Sequence, residues 1–381
     1  MTWIPEIAEF DDEQLSIFEQ ISNDKTNSWW IKGYAGTGKT MLLAHLAYKL
    51  FDEGVNCAYV TYTHALKNLV TEALTEVSEY ETTVPVFTVD SLNAIGDGYE
   101  VILVDEVQDL QEKQITKLLK LGDRFIFAGD MNQSIFLNAA KPEKINRLLG
   151  NPKIVELRDI HRLPEAISFA AHLIYSEAQA ADNALVDKIE NSTVNTIEAR
   201  SKLKEVTWVY DQALRESRQG KPSAIIFSKH SEIQEFVELL SEAKLNTSPP
   251  AVGRMEDSNS LDYNPINRFL KKNGLSLMYF GGTGGAELSL ATKSKAVLMM
   301  TMHSAKGLEF DSVFMPFMDS ARVICPYPPY KNKDDWQRKF FYITVTRTHL
   351  NFYATYTGEP SQYLELLDDE NLENYRIHRN I

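Results

Sequence analysis

Only two cysteines occur in 381 residues, Cys57 in an apolar run and Cys325 in a proline-rich stretch. Neither belongs to a zinc-ligand spacing or a disulfide framework, so both are expected as reduced thiols. No uninterrupted apolar stretch is long enough to cross a bilayer. The opening Met1-Thr2-Trp3-Ile4-Pro5-Glu6 lacks the basic start and apolar run of a secretory leader, so a cytosolic location is expected. Positive charge is also short: 39 Lys and Arg face 53 Asp and Glu, a formal net charge of -14. That balance argues against a surface coated with nucleic acid, whose phosphates draw on Lys and Arg, but does not exclude a local groove. Much of the acid lies in 6–19 and 365–373, read as solvated helix faces. There is no internal repeat, and 44% hydrophobic with 24% charged residues is ordinary globular composition at a length suited to two domains.

Phosphate chemistry is what the sequence does have. Gly33-Tyr34-Ala35-Gly36-Thr37-Gly38-Lys39-Thr40 is a complete G-x-x-x-x-G-K-[ST] loop. Before it, Ser28 to Ile31 reads as a buried strand; after it, Met41 to Leu50 reads as a helix. In that context Gly33, Gly36 and Gly38 let the backbone close around an anion at a helix N-terminus. Lys39 reaches the β/γ oxygens of a nucleotide, and Thr40 offers a hydroxyl to Mg²⁺.

The second strong signal is Val101-Ile102-Leu103-Val104 followed by Asp105-Glu106-Val107-Gln108-Asp109. A four-residue apolar run is a buried parallel strand, and carboxylates at its end stand where an open α/β sheet binds ligand. Asp105 is assigned to the Mg²⁺ shell, and Glu106 to orienting or deprotonating an attacking water. Upstream, Asp11 or Asp12 caps a helix with Leu15 and Phe18 on its apolar face, and Gln14 is either an adenine contact or plain surface.

Further strands are expected at Cys57–Tyr62, Val84–Val89 and Phe125–Ala128, which gives a parallel-sheet domain over 1–152. A second α/β domain over 153–381 has strands at Ala224–Phe227, Ala296–Met300 and Ser312–Phe314, and a last one at Phe341–Val345. It has no P-loop, and its glycine run at Gly281-Gly282-Thr283-Gly284-Gly285 reads as a connector. Arg162, Thr301 to Phe310 and Arg347 are placed at or just past strand ends, with the two arginines as phosphate clamps.

Taken together, these segments resemble a superfamily 1 helicase motor of the UvrD/Rep group. The motifs appear in order: Gly33 to Thr40, Thr61 to Asn68, Asp105 to Asp109, Gly129 to Ile135, Arg162, Thr301 to Phe310 and Val345-Thr346-Arg347-Thr348. The resemblance implies two RecA-like P-loop domains in tandem with ATP between them. By the same likeness Gln14 meets adenine, Gln133 senses the γ-phosphate, Arg162 and Arg347 are arginine fingers, and Glu309 meets the ribose. His161 stands where the family often has a base-stacking tyrosine. Single-stranded DNA is expected near Thr61, Thr63, His64, Phe136, Thr301 and His303.

The chain also departs from the family. Leu92 to Val101 leaves room only for a loop where members carry a large insertion, and the second insertion is at most Leu240 to Leu290. Asp90 replaces a common histidine, and Leu137-Asn138-Ala139 lacks the usual aromatic and Arg. Two functions follow from different classes. One is an ATP- and Mg²⁺-dependent single-strand DNA translocase or helicase, stepping 3′ to 5′ by resemblance, with RNA left open and a partner needed for unwinding. The other is a nucleotide switch regulating a protein partner such as a nuclease or effector.

Overall fold

The computed structural model of the chain describes residues 7–77, 83–93, 95–134, 136, 138–158, 163–176, 192–220, 222–254, 261–281, 295–321, 324–325, 333–368, 372 and 376–381. Two compact units meet in sequence at Arg162 and Leu163.

In the first unit, Trp29–Gly33 (β1), Cys57–Thr61 (β2), Val86–Thr88 (β3), Tyr99–Val104 (β4), Gly122–Gly129 (β5) and Lys153–Leu157 (β6) form one sheet in the order β3-β2-β4-β5-β1-β6. Every neighbouring pair is parallel. The interior strands are near-continuous apolar runs, and all five residues of β2 are buried. This is the pattern of strands covered on both faces. The helices are Asp12–Asn23 (α1), Lys39–Asp52 (α2), His64–Val77 (α3), Glu112–Leu118 (α4) and Pro142–Leu148 (α5). Trp30, Ile102, Val104 and Phe127 pack with Ile115, Leu118 and Ile145 in one core cluster.

Asp11 caps α1 reciprocally. Its carboxylate accepts the Gln14 N–H at 2.6 Å, and the Gln14 side-chain oxygen accepts the Asp11 N–H at 3.4 Å. The buried stripe of α1 is Ile17, Phe18 and Ile21, while Leu15, expected inward, is 37% exposed. The expected division at 152/153 falls ahead of β6. That strand pairs with β1 from Trp29 opposite Lys153 to Gly33 opposite Leu157, so the first sheet continues past the division. An edge strand has one open side, and Ile154 is 48% exposed. Its residues carry no buried run for the sequence to reveal.

In the second unit, Thr193–Ala199 (β7), Ser223–Phe227 (β8), a ribbon of Gly253–Arg254 (β9) with Leu261–Asp262 (β10), Leu277–Tyr279 (β11), Val297–Thr301 (β12), Phe310–Met315 (β13), Thr348–Thr357 (β14) and Arg376–Asn380 (β15) are the strands. All but the ribbon join a sheet ordered β11-β12-β8-β13-β14-β7-β15, parallel at each step. Among the described residues the helices are Glu165–Ile174 (α6), Lys202–Arg218 (α7), His230–Leu245 (α8), Asn264–Lys272 (α9), Met302–Ala305 (α10) and Asp334–Val345 (α11).

Phe341–Val345, expected as a strand, is the C-terminal part of α11. Its aromatic and β-branched residues favour strand by propensity, yet all five are buried and the helix continues unbroken from Asp334. The stretch after Leu240, read as remnant insertion, supplies α9 and β11. Ile266, Leu270, Leu277 and Tyr279 belong to the unit's core. Residues 282–285 of the glycine connector lie outside the described residues.

One buried charge ties this unit together. Glu205 of α7 is fully buried and accepts hydrogen bonds from the Phe317 N–H at 2.8 Å, the Thr355 hydroxyl at 2.7 Å and the Thr357 hydroxyl at 2.8 Å. Phe317 is held at φ 64, a conformation a bulky side chain rarely adopts. Burial raises the Glu205 carboxyl above its ordinary range, against the lowering effect of those donors. Thr355→Val removes one donor from a charged acceptor and is expected to cost about 1.5–3 kcal/mol in denaturant unfolding at neutral pH. Losing the donor raises the folded-state pKa further. The destabilisation is therefore full above that pKa and shrinks as pH falls through it.

Candidate functional site

The phosphate loop follows β1, Asp105 and Glu106 follow β4, and Asp130 to Gln133 follow β5. Because β4, β5 and β1 are consecutive and parallel, all three segments leave the sheet at one carboxyl edge.

Within the loop, Gly36 (φ 77) and Gly38 (φ 82) are left-handed, which glycine adopts without strain. Gly38 is also the N-cap of α2 and brings no side-chain acceptor to the helix start. The first-turn N–H groups and the positive end of the helix dipole are thereby left to an anion. A Cβ on Gly33 would stand 2.7 Å from the Thr37 hydroxyl and 2.9 Å from the Leu157 carbonyl, so the loop packs on β6 only through glycine. Thr37 is fully buried and donates to the Tyr34 carbonyl at 3.1 Å. The Lys39 ammonium donates to the same carbonyl at 2.5 Å.

Gln14 touches the loop from beneath. Its amide donates to the Thr37 carbonyl at 3.2 Å, and a Cβ on Gly38 would lie 2.6 Å from that nitrogen. The residue is 5% exposed, and both ends of its amide are engaged, one in the α1 cap and one on the loop. In this geometry it supports the loop, and the surface reading of the sequence is excluded.

Asp105 is 1% exposed. It accepts hydrogen bonds from the Tyr59 hydroxyl on Oδ2 at 2.9 Å, from the Glu106 N–H on Oδ1 at 2.9 Å and from the Thr40 hydroxyl. Burial, then the neighbouring Glu106 charge, pushes its carboxyl up to about 6. Glu106 has φ 56 and ψ 40, left-handed for a non-glycine residue.

The Glu106 carboxylate accepts from the Gln108 amide nitrogen, and the Gln108 oxygen accepts the Asp130 N–H at 3.2 Å. The Asp130 carboxylate accepts from the Gln133 amide at 2.9 Å. Gln108 is fully buried in space that only Gly129 leaves, since a Cβ there would fall 2.2 Å from its oxygen. A relay of hydrogen bonds, passing through the backbone N–H of Asp130, thus joins Glu106 to Gln133.

Around the candidate strand-binding residues the picture is mixed. The Tyr62 and Phe136 rings lie 4.6 Å apart and are half-buried. Thr61 is fully buried. Thr63 caps α3 by accepting the Leu66 N–H at 3.1 Å. His64 has its pKa lowered by burial, against the raising effect of Asp90 nearby. In the second unit Thr301 is also buried, capping α10 by accepting the Ser304 N–H at 3.3 Å. His303 packs on the Phe340 ring at 5.2 Å, and burial with the nearby Lys306 charge brings its pKa down to about 4. A neutral imidazole offers a phosphate an N–H but no charge.

Thr301 ends β12 at the carboxyl edge of the second sheet, whereas Glu309 and Arg347 immediately precede β13 and β14 at the amino edge. The segment read as one strand-end motif therefore runs back along the sheet, with Lys306 buried midway. Arg347 follows the helix α11 and is 4% exposed. Its guanidinium donates to the Ile343 carbonyl at 3.0 Å, the Leu308 carbonyl at 3.5 Å and the Thr346 hydroxyl at 3.2 Å. Glu309 faces the His349 ring at 3.3 Å. His161 and Arg162 lie outside the described residues.

Two family models match the chain. An AAA domain family model matches residues 9–206, and a UvrD-like helicase C-terminal domain model matches residues 171–359. The chain belongs to the UvrD-like superfamily 1 helicases. A probable DNA helicase II homolog of Rickettsia felis is 26% identical over 144 residues, 35% of this chain and 20% of the relative. The ATP-dependent DNA helicase PcrA of Staphylococcus aureus is 31% identical over 106 residues, 24% of this chain and 14% of the relative. The matched region thus spans a fifth or less of those curated proteins. A solved complex of Arterivirus nonstructural protein 10 (helicase) with DNA is 16% identical, covering 94% of this chain and 66% of that one with a TM-score of 0.42.

The residues around this site that sequence reasoning missed are Tyr59, Gln108 and Tyr62. Gln108 lies within the Asp105 to Asp109 motif, so its place in the motif was a signal. Tyr59 meets Asp105 across two paired strands, which no spacing encodes.

Proposed function

We propose that the chain is an ATP-dependent motor that steps along single-stranded DNA, 3′ to 5′ by family likeness. The observation that carries the proposal is the convergence of the phosphate loop, Asp105 with Glu106, and Gln133 on one carboxyl edge, joined by the Gln108 relay. The residues suit a Mg²⁺-nucleotide. The Thr40 hydroxyl and the Asp105 carboxylate are already within hydrogen-bonding reach of each other, a pair of hard oxygen donors of the kind Mg²⁺ takes. When bound, the ion neutralises charge on the phosphates. Lys39 holds the β/γ oxygens, Glu106 orients and deprotonates the attacking water, and Gln133 reads the γ-phosphate through the relay. By family likeness alone, Arg162 and Arg347 are the arginine fingers, Gln14 and His161 stand on the adenine side and Glu309 on the ribose; in the geometry described above Arg347 donates to the Ile343 and Leu308 carbonyls and Gln14 to the loop.

The DNA-gripping side rests on the Tyr62 and Phe136 rings for base stacking, with Thr63, His64 and His303 for the backbone. A second reading, a nucleotide switch acting on a protein partner, is favoured by the burial of Thr61 and Thr301. The two readings agree on hydrolysis and differ on DNA.

Lys39→Ala and Glu106→Gln are each expected to abolish Mg²⁺-dependent hydrolysis, the first by losing phosphate contact and the second while still binding ATP. Turnover by Glu106→Gln near the wild-type rate removes Glu106 from its role.

Separating a duplex costs about 1.4 kcal/mol per base-pair step on average. A chain with only a loop where relatives carry an insertion is expected to unwind long tailed duplexes poorly without a partner. Efficient, processive strand displacement by the purified chain overturns that expectation.

A further inference from the structure

Tyr59 sits in the middle of β2, fully buried, with Leu103 of β4 as its paired neighbour. Two residues beyond Leu103 is Asp105, whose N–H donates to the Val60 carbonyl at 2.9 Å, so the two strands stay in register up to the carboxylate. The register brings the phenol hydroxyl to 2.9 Å from Asp105 Oδ2. A phenol inside a dry sheet must find a partner or pay the desolvation cost of an unmade hydrogen bond. Here the partner is the carboxylate assigned to the cation. The carboxylate accepts, so the phenol O–H is the donor.

The Asp105 carboxylate is therefore held at two points from inside the protein: Oδ2 by Tyr59 and Oδ1 by the Glu106 N–H. The Thr40 hydroxyl is the contact on the loop side. Two fixed oxygens set the rotamer of the carboxylate.

We propose that Tyr59 is a positioning residue for the divalent cation, clamping Asp105 in its metal-binding orientation from within the sheet. The proposal rests on the ATP-Mg²⁺ reading above. Partners of metal ligands commonly change metal affinity by ~10–100-fold when removed.

The test is the Mg²⁺ dependence of binding of a fluorescent ADP analogue, which needs no turnover, in wild type and in Tyr59→Phe. The variant is expected to need about 10-fold more Mg²⁺ for half-saturation or worse. Its binding of the same analogue in EDTA, held by the phosphate loop alone, is expected to match wild type. An unchanged Mg²⁺ midpoint in a variant that still binds the analogue overturns the proposal. The wild-type arm reports on the underlying reading: nucleotide binding indifferent to Mg²⁺ overturns the cation site and Tyr59's role with it. If Tyr59→Phe does not fold, Tyr59→Phe with Asp105→Asn decides the matter. Recovered folding supports the clamp, because the fault then lay in an under-solvated carboxylate; no recovery means that Tyr59 only fills the core.

Discussion

The chemistry of the first unit depends on a helix start that no side chain caps. Gly38 at the head of α2 supplies a left-handed turn and nothing else, so the N–H groups that another helix would give to a Ser or Asp remain for phosphate. The rest of the unit holds that turn still. Gly33 packs it on β6 where any Cβ would collide, Thr37 closes it through the Tyr34 carbonyl, and Gln14 props it from α1. The edge strand β6, unseen in the sequence, is thus part of the floor of the site.

Acidic groups complete the edge at an energetic cost that the sheet absorbs. Asp105 is almost fully buried beside Glu106, and its carboxyl is raised to about 6 as a result. Uncharged donors from Tyr59, Thr40 and the backbone offset part of that cost, and a bound cation offsets it further. Glu106 is tied through Gln108 to the segment that follows β5. Two adjacent carboxylates thereby acquire different surroundings, a requirement for giving them different roles.

Local features were legible in sequence and cross-strand features were not. The phosphate loop, the capped start of α1 and the apolar β4 with its acidic end are encoded within a few consecutive residues, and each stands where its spacing put it. Phe341–Val345 misled because a short apolar run rich in β-branched residues is the same string in a buried helix as in a strand. Thr61 and Thr301 match motif positions, but a hydroxyl at a strand end turns inward or caps the next helix as its neighbours dictate. Tyr59 on Asp105 and Arg347 on the Leu308 carbonyl are products of register and return path. In the second unit that return path carries Thr301 to Phe310 from one edge of the sheet to the other, with a lysine buried along it.

The central claim is that hydrolysis at the first unit's carboxyl edge serves movement on single-stranded DNA. Steady-state ATP hydrolysis by the purified chain, measured with and without a single-stranded oligonucleotide at low salt, tests it most directly. The account predicts Mg²⁺-dependent hydrolysis that rises as the oligonucleotide is added and falls back as salt weakens its grip. Hydrolysis at the same rate with and without DNA contradicts the motor.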